Sequence, residues 1–140
     1  YLFNRVQRYD IKGRALLKTG GKYYIADAGM RSYLDSYRNT DTGRVLENLV
    51  YNQLVFDDYD VLVGHLRGGE VDFVATKPRQ KMYVQVTEDM RDEETMQREL
   101  APLKRIGDEY RKIVVVAEGT YPADIDGIEI VNVIDFLLHR

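Results

Sequence analysis

Apolar and polar positions change rhythm several times along this chain, and each change marks an expected element. Tyr1–Gln7 alternates as a strand does, and Lys22–Ala26 reads as a second short strand. Between them the pattern predicts a short helix over Asp10–Leu17 with Leu16 and Leu17 inward, then a turn at Lys18-Thr19-Gly20-Gly21. That strand, helix and strand are compatible with the wing end of a winged-helix module. Another short helix is expected to open at Asp27-Ala28-Gly29 and run through Leu34 to Tyr37. The strongest helical pattern follows. Asp41 or Thr42 can cap it, and Val45, Leu46, Leu49, Val50, Gln53 and Leu54 cover one broad arc before the Asp57-Asp58 pair ends it.

Period two then takes over. Asp60–Gly64 is a short apolar strand and Gly68-Gly69 a turn. Glu70–Thr76 alternates, with Glu70, Asp72 and Val74 expected on one face and Val71, Phe73 and Ala75 on the other. After Lys77-Pro78-Arg79-Gln80, Lys81–Thr87 returns with Tyr83, Gln85 and Thr87 opposed to Met82, Val84 and Val86, so the two strands should pair antiparallel. Asp92–Tyr110 carries Met96, Leu100, Leu103 and Ile106 in a helical stripe that Pro102 should kink or restart. Ile113–Ala117 is a continuous apolar run, the mark of a strand buried on both faces and parallel to its neighbours. A turn at Asp126-Gly127, a strand over Ile128–Val131 and an amphipathic helix over Val133–His139 complete the pattern. From residue 42 onward the order predicts an α/β fold: a central mixed β-sheet with helices on both sides.

Composition removes several classes of protein. With 140 residues, 44% hydrophobic and 31% charged, the chain has material for one core and is neither a disordered tail nor a collagen-like rod. The absence of cysteine excludes disulfides, thiolate-metal sites and cysteine nucleophiles, and it fits a reducing cytoplasm. The longest purely apolar run, Ile113–Ala117, is too short to cross a bilayer, so no membrane partner is expected. A chain that opens on Tyr1 in mid-rhythm reads as a piece of something longer. Residues 1–41 are expected as a basic connector with a winged-helix-like remnant, and 42–140 as the main domain. Charge supports that division: residues 1–24 hold six Lys and Arg against Asp10, a local +5 that leaves −8 for the remainder of a chain whose net charge is −3. Arg5, Arg8, Lys12 and Arg14 are the candidate nucleic-acid-binding residues of this stretch, against the plainer reading of a solvated face or one that docks on an acidic neighbour.

Other chemistries fail on residue type. His65 and His139 are too few and too distant for a histidine metal cluster. Gly20-Gly21-Lys22 resembles the tail of a phosphate loop, but Tyr23 stands where Ser or Thr is required and Leu16 where glycine is required, so no nucleotide site is expected. Ser32 and Ser36 lack a neighbouring histidine base. One constellation survives. Glu47 lies at the edge of its helix's apolar arc, and Asp72 and Gln85 lie on facing strands, an oxygen set of the kind that holds Mg²⁺ for phosphodiester chemistry.

At these positions the sequence resembles the PD-(D/E)xK nuclease-like superfamily. Gly69-Glu70-Val71-Asp72-Phe73-Val74-Ala75 followed by Met82-Tyr83-Val84-Gln85-Val86-Thr87 is similar to its central hairpin, and Glu47 within Gly43-Arg44-Val45-Leu46-Glu47-Asn48 to its first-helix acid. More widely, the chain resembles the C-terminal domain that follows the ATPase module in a family of prokaryotic AAA-type ATPases. Arg8–Gly13, Lys22–Gly29, Leu46–Tyr51 and Ile134–Leu138 carry that likeness. The resemblance implies a restriction-endonuclease-like fold, an attached ATPase module, Mg²⁺ as cofactor, Glu47, Asp72 and Gln85 as its ligands, and position 87 as the place of a water-orienting lysine.

The chain departs from the active pattern where Gln85 replaces Glu and Thr87 replaces Lys. An amide removes one negative charge from a divalent-cation site, and Thr87 has no cation for the transition state. Arg44, Lys77 and Lys81 are weak substitutes for a displaced lysine. Gln97 resembles an accessory glutamine of some members, but Ala101 replaces the companion aromatic and Gln97 reads as a surface residue. The expected function is a non-cleaving nuclease-fold domain that binds nucleic acid or a partner protein for its ATPase. The alternatives are a Mg²⁺-dependent DNA endonuclease and an architectural domain that mediates oligomerisation.

Overall fold

The computed structural model describes residues 3–26 and 42–140. The long strands form where period two was expected: β5 (Asp60–Leu66), β6 (Gly69–Lys77) and β7 (Gln80–Thr87) are a continuous antiparallel meander. Helix α1 (Thr42–Phe56) precedes them and α2 (Glu93–Lys104) follows. β8 (Arg111–Val116) is buried from Ile113 to Val116 and lies parallel to both β7 and β10 (Ile128–Asn132), as its unbroken apolar run predicts. The chain closes with β9 (Asp124–Ile125) turning back antiparallel onto β10, and α3 (Val133–Leu138).

The N-terminal segment differs from the pattern. Its strands are β1 (Phe3–Val6), β2 (Arg8–Asp10), β3 (Ala15–Leu16) and β4 (Lys22–Ile25). No helix occupies Asp10–Leu17. The Asp10 carboxylate instead accepts the Lys12 and Gly13 amides at 3.2 and 3.1 Å, and Arg14 takes a left-handed φ of 52°, which turns the chain back into β3. β2 pairs parallel with β5, so one mixed sheet runs β3-β2-β5-β6-β7-β8-β10-β9, while β1 and β4 form a separate antiparallel pair. The helix expected from Asp27 to Tyr37, the cap at Asp41, and Ser32 and Ser36 lie outside the described residues.

Helices cover both faces of the sheet. Leu46, Val50, Tyr51 and Leu54 of α1 pack with Val133 of α3 against Phe73, Ala75, Met82, Val84, Ile113 and Val115. Leu100 and Leu103 of α2 pack on the other face with Val71, Val74, Tyr83 and Val114. Asp92 caps α2 by accepting the Thr95 amide and hydroxyl at 2.9 and 3.0 Å, and Glu93 and Glu94 sit at its positive end. Pro102 does not interrupt this helix: it falls in the last turn, two residues before the end, so the one ladder bond its missing N–H forfeits lies next to the helix end.

The face assignment of β6 needs one correction. Leu62 pairs with Val74 but Gly64 pairs with Val71, so β6 spends one more residue than β5 and a bulge falls at Asp72-Phe73. Val71 and Val74 therefore share the α2 face, while Phe73 and Ala75 share the α1 face. Gly64 permits this crowding, since a Cβ there would lie 2.9 Å from Ile11 Cδ1 and 3.1 Å from Val71 Cβ. Among the described residues no helix is long and apolar enough to cross a membrane.

Candidate functional site

The ladder between β6 and β7 stops at the Phe73–Val84 pair, and side chains take over beyond it. Asp72 Oδ2 accepts the Val86 amide at 2.8 Å, and Gln85 Oε1 accepts the Asp72 amide at 3.2 Å. The second acidic position and the amide position of the sequence motif thus pin the point where the two strands part. This fixes Asp72 in a half-buried notch that the helix α1 reaches with Glu47.

A lysine fills that notch. Lys22 Nζ lies 3.0 Å from Glu47 Oε1, 2.8 Å from Glu70 Oε1 and 3.7 Å from Asp72 Oδ1. Its neighbour two residues on, Tyr24, donates its hydroxyl to the same Glu47 oxygen. Tyr24 is held by stacking on Tyr51, with ring centroids 4.5 Å apart, and by a tilted contact with Phe73 at 5.4 Å. Arg8 adds a bond to Glu70 at 3.3 Å. Of the expected residues, then, Glu47 and Asp72 come together, and Glu70, which reads in the sequence as the exposed side of a strand, joins them.

The other expected residues are engaged elsewhere. Gln85 donates to Glu99 Oε2 at 3.0 Å, and Thr87 donates its hydroxyl to the Asp89 carbonyl at 3.2 Å. Lys77 donates to the Asp57 carbonyl at 3.1 Å, and Lys81 sits near the Tyr9, Tyr83 and Tyr110 rings, so neither substitutes for the lysine missing at position 87. Gln97 bonds Glu93 on the surface of α2 at 2.7 Å, as expected of a surface residue. Arg5 donates to the Gly20 carbonyl at 3.0 Å, while Lys12 and Arg14 line a separate cleft.

Electrostatics follow from crowding. Burial, and then the Glu47 charge, raise the Asp72 carboxyl to about 7 against the opposing pull of the Val86 amide and Lys22. Burial pulls the Lys22 ammonium down, but its hydrogen bond to Glu70 and the charges of Glu47 and Asp72 outweigh it, and the net shift is upward. Burial and Glu47 likewise push the Tyr24 phenol up, so it stays a donor.

Because the folded protein holds a proton on Asp72 that the unfolded chain releases near pH 4, this group favours folding below that pH and loses the benefit as pH rises through about 7. In metal-free buffer, stability should fall between pH 5 and 8 with a slope approaching ~1.4 kcal/mol per pH unit at its steepest. Asp72→Asn should flatten most of that slope. Urea midpoints at pH 5, 6.5 and 8 check it; parallel curves for the two proteins would contradict the assignment.

The same crowding decides whether the donor set suits Mg²⁺. Three carboxylates approach one point, but an ammonium already stands there, and the Gln85 carbonyl that should complete the set is spent on a backbone amide. Among the described residues no three His, Asp or Glu side chains are gathered closely enough to share a metal ion as they stand. The arrangement does not fit a divalent ion while Lys22 is in place. The substitutes expected from the sequence were Arg44, Lys77 and Lys81, and Lys22 was missed; the available signal was the alternation of Lys22 and Tyr24, which places both on one side of a short strand.

An uncharacterized protein of Haemophilus influenzae is 38% identical over 138 residues, which cover 99% of this chain and 34% of that protein. The chain thus spans about a third of the length of this relative. No family model and no solved structure matches the chain.

Proposed function

We propose that this chain is a nuclease-fold domain that engages nucleic acid without hydrolysing it, and that it serves as the C-terminal domain of an AAA-type ATPase. The observation that carries the non-cleaving part is the Lys22 ammonium held among Glu47, Glu70 and Asp72. A tethered monovalent cation supplies the charge balance that a divalent ion supplies in a hydrolytic site, but it brings no open position for water and substrate. Thr87 adds no cation of its own. The order α1, β5-β6-β7 meander, α2 and parallel β8 supports the nuclease-like fold. About two thirds of the Haemophilus relative lies outside the matched segment, which leaves length for a further module in that protein.

A second reading, a Mg²⁺-dependent DNA endonuclease, is favoured by one feature: three carboxylates face a single ammonium, leaving negative charge in excess at the notch. Incubating the purified chain with duplex and single-stranded DNA and Mg²⁺ or Mn²⁺ separates the two. The expected result is retention of intact DNA on the protein, no heat of Mn²⁺ binding to wild type by calorimetry, and measurable Mn²⁺ binding once Lys22→Ala vacates the notch. Cleavage by wild type that Asp72→Ala abolishes would establish the enzyme instead.

A further inference from the structure

Beside the carboxylate notch lies a cleft of opposite sign. It has a volume of about 550 Å³ and is lined by Lys12, Arg14, Arg67 and Arg105, with Asp108 as its one acidic residue. In a chain of net charge −3 such a concentration is unusual enough to need a cause. The four cations have no carboxylate partner among the described residues, whereas Arg8, Lys22, Lys104, Arg111 and Arg140 are each ion-paired. Nor does Asp108 neutralise them. Its carboxylate accepts the Tyr83 hydroxyl and the Tyr110 amide and lies 4.0 Å from Lys112.

The cleft is also built rather than incidental. Arg105 is the C-cap of α2, and it reaches across to donate to the Arg67 carbonyl at 3.4 Å. It lies so close to the β5–β6 turn that a Cβ on Gly69 would stand 2.5 Å from its Nη2. A glycine at 69 therefore seats the guanidinium against the backbone. Gly68 at φ +78° turns the chain there, and Leu66 and Ile106 form a buried floor. Lys12 and Arg14 come from the turn set by Asp10, so the four charges descend on the cleft from three segments. Gly69 directly precedes Glu70, which places the cleft next to the notch along β6.

We infer that this cleft is a phosphodiester-binding track in which Lys12, Arg14, Arg67 and Arg105 contact successive backbone phosphates of a polynucleotide that passes the Glu70 end of the notch. The inference rests on the proposed nucleic-acid role and assigns it a surface that Arg5 and Arg8 do not supply, one being turned to Gly20 and the other to Glu70. Contacts of this kind read charge and spacing, so binding is independent of base sequence and steeply dependent on salt.

The test is fluorescence anisotropy of the 140-residue chain with a labelled duplex and its single strand across a salt series. Arg67→Ala/Arg105→Ala should weaken binding about tenfold near physiological salt and make the log–log salt slope shallower by about 2, at ~0.9 for each phosphate left without its cation. Lys12→Ala/Arg14→Asn, which keeps a residue tolerant of the left-handed turn, should do the same without touching α2. Arg79→Asn/Arg140→Ala, an equal loss of charge away from the cleft, should leave both quantities unchanged, and urea midpoints confirm that each variant folds. Pyrophosphate is the small-anion arm and should compete only weakly; competition as strong as the oligonucleotide's own would overturn the polynucleotide assignment. Wild-type binding that both cleft variants retain would overturn the track and leave the proposed function standing. No binding by wild type would overturn both, and cleavage without loss of the cleft effect would overturn only the non-cleaving reading.

Discussion

Replacing Phe73 by alanine is expected to destabilise the fold by about 3–5 kcal/mol, roughly a 10–20 °C fall in midpoint for a domain of this size. Phe73 is fully buried on the α1 face of β6, within the bulge, and its ring meets both Tyr24 and Tyr51. Removing it takes away the transfer free energy of a whole ring and leaves a void that two tyrosines, already stacked on each other, cannot both fill. The consequence reaches the notch. Tyr24 carries the hydroxyl that bonds Glu47, so a loosened Tyr24 frees the carboxylate that holds Lys22. Thermal unfolding of the variant checks the first effect, and hydrogen exchange of the β4 amides, faster relative to those of β8, checks the second. A loss under about 1 kcal/mol would show that the aromatic cluster is not the support described.

Asn48→Ala should have the next largest effect, about 2–4 kcal/mol, and should act through the backbone. Asn48 is the buried polar side chain of α1; its oxygen accepts the Ile25 amide at 2.9 Å and its nitrogen donates to the Ile25 carbonyl at 3.0 Å. Both main-chain groups at the end of β4 are thereby satisfied by one residue of a helix. Alanine leaves a donor and an acceptor unpaired in a part-buried place, which costs about 1–3 kcal/mol each before relaxation. Asn48→Asp keeps the acceptor but sets a carboxylate against the Ile25 carbonyl, and should be no better. Because this clamp ties the N-terminal strands to α1, limited trypsin digestion of the variant should cut after Lys18 and Lys22 well before it cuts within 42–140. Digestion at wild-type rates would contradict the clamp.

The main sheet was legible in the sequence because its signals are local. The run Ile113–Ala117 can satisfy no pattern but a doubly covered strand, and the arc of Leu46, Val50 and Leu54 can bury itself only as a helix. The bulge at Asp72-Phe73 was not legible, since it is a mismatch with β5 and emerges only when both strands are paired. The same holds for the turn at Asp10: Leu16 and Leu17 resemble an inward helical pair until the Asp10 carboxylate takes two amides and the chain reverses. The site was half legible. Glu47 and Asp72 carry a recognisable spacing, but Lys22 is 25 residues from Glu47, and only closure of β4 onto α1 brings the pair together.

The two ends of the eight-stranded sheet bear on how copies of this chain can meet. Each terminates, among the described residues, in a strand of two residues: Ala15–Leu16 on one side and Asp124–Ile125 on the other. A neighbouring molecule that tried to extend the ladder would find almost no free amides and carbonyls in register, which blunts the runaway end-to-end pairing that long open edges invite. Self-association by extending the eight-stranded sheet is then disfavoured, and at high concentration the folded chain should stay free of fibrous aggregate built on that sheet even though its interior strands are strongly β-forming.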